Sequence, residues 1–194
     1  MAMAKKVVIK RKKAVTESQV TLRTVNTSPV PLTDVVASVR RVQEMSKADR
    51  LLLCDEIYKR QPALLAHVLV LHRLGVCMQK IDRMVHILLV VYDLFSRSSP
   101  TVLPPVSEDI LERVNANQLA LLKLLQREDR NEFNRMCKLS VSSHPEINAL
   151  AFILGDLRDA GIADMHQKED EYCVRTARNI LDAIIWTRDG RTHG

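Results

Sequence analysis

From Pro31 to Thr187 apolar residues recur every three to four positions, a spacing that predicts helices along nearly the whole stretch. Val35, Val39 and Val42 mark one face of a helix over Thr33–Met45, with Thr33 as its N-cap. Ser46 followed by Asp49 has the form of a capping box and restarts the chain as Lys47–Arg60. The closing Lys59 and Arg60 suit the negative end of that helix dipole. Pro62 fits the first turn of a third helix, Pro62–Leu74, and Gly75 ends it. Cys77–Phe95 makes a fourth. The third and fourth are apolar nearly all round ("ALLAHVLVLHRL", "MVHILLVVYDLF"), which predicts burial at the centre of the molecule or a contact shared between subunits.

The segment "SRSSPTVLPPV", Ser96–Val106, interrupts this periodicity with three prolines and three serines. Its core, 97–106, reads as a linker between a first helical group, 32–96, and a second, 107–187, packed against the first. Ser107 caps the next helix, to about Gln126, whose seam runs Leu111, Val114, Gln118, Leu121 and Leu125. One polar residue in an apolar seam often sets register or partner choice, so Gln118, Leu121 and Leu125 form a candidate partner interface. A short helix over Asn131–Leu139 follows. Pro145 opens another, with Ile147, Leu150, Leu154 and Leu157 on its stripe and Gly161 as its stop. The last helix spans about Gln167–Thr187 with Cys173, Ala177, Ile180 and Ile184 facing inward, and 188–194 reads as a flexible end. The expected fold is all-α: one globular, bundle-like domain of seven or eight helices.

Residues 1–31 lack helical periodicity and read as an arm, disordered or extended, in which "QVTLRTV" could also pair as a short strand. Charge sharpens the picture. The net +6 belongs to this arm: Lys5, Lys6, Lys10, Arg11, Lys12 and Lys13 face no acid within residues 1–13. The remaining 23 basic residues match the 23 acidic ones, so the body is neutral overall. Its two halves differ, with 11 basic and 8 acidic residues over 14–106 against 12 and 15 over 107–194. Six clustered cations can neutralise phosphates without reading sequence, and Lys5–Lys13 is a candidate nucleic-acid contact of that kind. "KRKK" also fits a nuclear import signal in a eukaryotic source. The arm has no aromatic for base stacking, and Val7, Val8 and Ile9 at its centre suit a protein partner or an anionic membrane surface equally well.

The remaining chemistry is sparse. Cys54, Cys77, Cys137 and Cys173 form no CxxC pair and follow no apolar signal segment, which predicts free thiols in a reducing, cytoplasmic setting. Charged and histidine side chains break every apolar run before it reaches the length of a membrane span. Lys47–Arg60 and Pro62–Leu74 have helix-turn-helix lengths, but the second is too apolar to enter a DNA groove. Asp82 with His86, and His166 with Asp170, are spaced as metal-ligand pairs, yet neither has a third ligand nearby. Cys77, at a helix start, is the one thiol placed for activation, with no sequence-local base to serve it. No Gly-rich phosphate loop, GxSxG, HExxH or dinucleotide fingerprint occurs. No cofactor is expected. The leading expectation is a non-enzymatic helical assembly or adaptor protein that binds a protein partner or itself, with the basic arm making electrostatic contacts. A nucleic-acid accessory protein anchored by Lys5–Lys13 comes second, and a Cys- or metal-dependent enzyme third.

Overall fold

The computed structural model describes residues 28–98, 102–125 and 129–190, and the six basic arm residues lie outside them. Among the described residues there are eight α-helices and no strands: α1 (Leu32–Glu44), α2 (Lys47–Arg60), α3 (Pro62–Leu69), α4 (Met78–Ser98), α5 (Glu108–Leu125), α6 (Arg130–Ser142), α7 (Ile147–Asp159) and α8 (Lys168–Arg188). The all-α expectation holds. No helix of the described residues is long and apolar enough to cross a membrane.

Helix ends follow local chemistry closely. The Ser46 hydroxyl accepts the Asp49 N–H at 3.1 Å and donates to the Asp49 carboxylate at 2.7 Å, which starts α2 where the capping pair predicts. Pro62 opens α3 and Ser107 accepts the Ile110 N–H at the start of α5. At Thr33 the expectation fails. The α1 N-cap is Pro31, whose extended backbone turns its carbonyl toward the N–H groups of Asp34 and Val35, and the Thr33 hydroxyl goes to the Asp34 side chain instead. Pro62–Leu74 is also not one α-helix, because Val70–Leu74 tightens into a 3-10 turn.

Gly75 ends that turn at φ +86°, and the N–H of Val76 returns to the carbonyl of Leu71. A Cβ at Gly75 meets nothing within 4 Å, so Gly75→Ala should cost about 1 kcal/mol through backbone strain alone. Gly155, inside α7 and equally open, is the matched control: Gly155→Ala should stabilise by about 0.5–1 kcal/mol. Urea unfolding of the two variants checks the opposite signs.

Two long helices organise the core. In α4 every residue from Ile87 to Phe95 is buried, so the helix is enclosed on all sides, packed by α1, α3, α7 and α8. In α8 the buried set includes Cys173, Ala177, Ile180 and Ile184, as the seam predicts, and it packs against α5, α7 and α4. The α7 stripe is rotated from the expected one: Ala149, Leu150, Ile153 and Leu157 are buried, while Ile147 and Leu154 are half-buried. Aliphatic side chains on nearly every face of α7 leave the choice to its neighbours.

The proline-rich segment is not a loose divider where it is described. Leu103 and Val106 are buried in the same continuous core as both helical groups. Gln61, fully buried between α2 and α3, holds them: its amide donates to the Pro104 carbonyl at 2.8 Å and accepts the Val106 N–H at 2.8 Å. One glutamine satisfies backbone groups that the prolines leave without helical partners.

Candidate functional site

Several polar side chains inside the bundle are tied to one another across helices. Asp182 on α8 accepts the Gln118 amide at 2.7 Å and faces His144 Nε2 at 2.9 Å. His144 Nδ1 accepts the Glu146 N–H at 3.1 Å, so the ring proton sits on Nε2 and is donated to Asp182. Glu146, fully buried, accepts Arg188 at 2.6 Å and the Val30 N–H at 2.8 Å, while Asn148 donates to the Val30 carbonyl at 2.8 Å. This clamp holds the chain at Val30. On α4, Asp93 takes Arg41 at 2.6 Å and Arg97 at 2.8 Å and ties α1 to the central helix. Burial would push the Asp93 carboxyl up, but hydrogen bonds from Arg41, Arg97 and Ser38 hold it below the usual carboxylate range.

The sequence-predicted interface residues separate on this basis. Gln118 sits in the seam as expected, but its amide is occupied inside the chain by Asp182. Leu121 is half-buried on α5, and Leu125 closes that helix. The seam did not reveal how many apolar side chains of α5 and α6 stay outside the core. Leu119, Leu121 and Leu122 of α5, with Phe133, Met136 and Cys137 of α6, are all half-buried, yet none belongs to the main core or packs against it. Leu124 and Leu139 are exposed by 51% and 57%. No residue of α6 is buried. Asp129, which accepts the N–H groups of Asn131 and Glu132, and the Arg135–Glu132 pair support α6 as a helix without tertiary burial.

A second surface is a cleft of about 580 Å³ at the start of α4, where Cys77, Lys80, Arg83 and His86 converge with Arg50. Its cations are largely spoken for. Lys80 pairs with Asp170 at 2.7 Å, and Arg83 with Asp156 at 3.2 Å. Burial pushes His86 down and Asp156 up, which weakens this 4.0 Å contact as a charge pair from both sides. Cys77 is exposed, and among the described residues nothing hydrogen-bonds its sulfur. Cys173 is buried, with its thiol pushed up to about 11, chiefly by burial. Of the expected ligand pairs, His86 faces Asp156 across the α4–α7 contact, and His166 precedes α8 and lies 3.9 Å from Asp164, so the helical spacing to Asp170 does not apply.

The third surface is a groove of about 310 Å³ between α3 and α5, with an apolar floor and two carboxylates, Glu108 and Glu112, at its edge. No known protein family, curated protein or solved structure matches the chain.

Proposed function

We propose that this chain is a non-enzymatic helical assembly protein that associates through the apolar face of α5 and α6. One observation supports this reading: α6 and the second half of α5 carry eight large or medium apolar side chains that the core leaves uncovered. Apolar side chains left open on two helices call for another apolar helical face, and a second copy of the chain supplies one by two-fold symmetry. Aliphatic and Met side chains suit such packing, because they adapt to a partner ridge.

Light scattering of the full chain across micromolar to submillimolar concentration tests it, beside the double variant Leu124→Glu, Leu139→Glu. The expected result is a dimer in the natural chain and a monomer in the variant, with unfolding temperatures alike at low concentration because both positions are already exposed. A natural chain that stays monomeric at the highest concentration overturns self-assembly through this face.

A second reading keeps its own support in the sequence: six cations without an acid in residues 1–13 form an arm suited to phosphates. Anisotropy titration of duplex DNA and single-stranded RNA separates it from assembly. Affinity carried by the arm should fall steeply with salt, with a log–log slope near about −5 for six duplex contacts.

A further inference from the structure

The groove between α3 and α5 matches the basic arm in kind. Ala63, Ala66, Val70 and Leu111 make its apolar floor, and Glu108 and Glu112 stand one helical turn apart at its edge. Neither carboxylate has a hydrogen bond or ion pair among the described residues, whereas most acids nearer the core are paired. The arm places Val7, Val8 and Ile9 between Lys5–Lys6 and Lys10–Lys13. An apolar centre flanked by cations is the complement of an apolar floor edged by carboxylates.

Geometry brings the two within reach. The chain enters the body at Val30, clamped by Glu146, and Glu146 pairs with Arg188 at the end of α8. Two residues earlier, Trp186 lies under the Arg113 guanidinium at 5.7 Å, and Arg113 is the neighbour of Glu112 on α5. The arm's entry point and the groove's edge are therefore linked by two side-chain contacts along one end of α8. The 14 residues from Ala14 to Thr27 span up to roughly 46 Å when extended, more than the ~40 Å breadth of a domain this size.

We propose that the groove between α3 and α5 is a docking site for this chain's own Lys5–Lys13 segment, with Val7–Ile9 on the apolar floor and the flanking lysines at Glu108 and Glu112. The site is separate from the α5–α6 assembly face, so either can fail alone. Bound there, the arm's charge is spent on the body, and a phosphate-bearing partner has to compete for it.

Zero-length carbodiimide cross-linking of the full chain, mixed from heavy-isotope and ordinary protein, reads this directly by peptide mapping. The expected links join arm lysines to Glu108 or Glu112, within one chain, and fade at about 0.5 M salt, where screening is short-ranged. The full-chain variant Glu108→Gln, Glu112→Gln should expose the arm to trypsin roughly tenfold more, since cleavage follows the open fraction. Both positions are exposed, so the fold should tolerate it. Links spread evenly over Asp159, Asp164 and Glu171 would overturn the proposal. So would links mainly between heavy and ordinary chains, which place a second copy's arm in the groove, or trypsin rates unchanged in the variant.

Discussion

Glu146→Ala should lower the unfolding free energy by about 3–5 kcal/mol, the range for removing one partner of a buried ion pair. Glu146 is fully buried, with one oxygen on Arg188 at 2.6 Å and the other on the Val30 N–H at 2.8 Å. Truncation strands a backbone donor inside the fold and leaves Arg188, itself 19% exposed, with the Asp189 carboxylate at 3.2 Å. At about 2–4 °C per kcal/mol for a chain of this length, the melting temperature should fall by roughly 10 °C. Glu146→Gln keeps the shape and an acceptor and should cost less. Urea unfolding followed by circular dichroism checks both. A loss below about 1 kcal/mol in the alanine variant would mean that water replaces the carboxylate, and that the clamp on Val30 is not structural.

Asp93→Ala should cost about 3 kcal/mol, at the lower end of the same range because Arg41 and Arg97 are partly exposed. Here the pH dependence carries the sharper test. The folded pKa of Asp93 lies below its unfolded value, so the pairing contributes its full stability above the ordinary carboxylate range. That contribution is lost as pH falls through the unfolded pKa, near about 3.9, toward the folded one. The stability gap between the natural chain and Asp93→Asn should therefore be constant from about pH 7 to 5 and shrink below that. A gap that is unchanged at acid pH would assign the effect to packing around α4 and not to charge.

Local signals read the helix ends well. Ser46 with Asp49, Pro62, Gly75 and Ser107 each act on backbone groups within about one turn, and each marks an end or start in the structure. Even there a neighbour could intervene, as Pro31 does when its carbonyl takes the role expected of Thr33. Helix faces were legible only where the seam was unambiguous. The α8 stripe of Cys173, Ala177, Ile180 and Ile184 is fully buried as spaced, while the aliphatic surround of α7 allowed the wrong stripe.

The candidate surfaces were less legible than the fold. Gln118 stood out as a polar residue in an apolar seam, and its amide donates to Asp182 on α8, 64 positions away. The uncovered side chains beyond it depend on α6 burying no residue fully, which no periodicity reports. Lys5–Lys13 could be marked as basic from sequence, whereas Glu108 and Glu112, without a partner among the described residues and at the edge of the α3–α5 groove, could not.

What the amino-acid order determined alone is therefore the all-helical class, most helix boundaries, the buried seam of α8, and the concentration of net charge in residues 1–13. Those properties arise from spacing, capping and composition, which act over a few residues. Tertiary structure alone decided the rest. It chose Asp93, Glu146 and Asp170 as buried charges, drew the proline-rich segment onto Gln61, and left apolar side chains of α5 and α6 outside the core. Each of those outcomes depends on which distant side chain arrives alongside, and a sequence pattern carries no record of that distance.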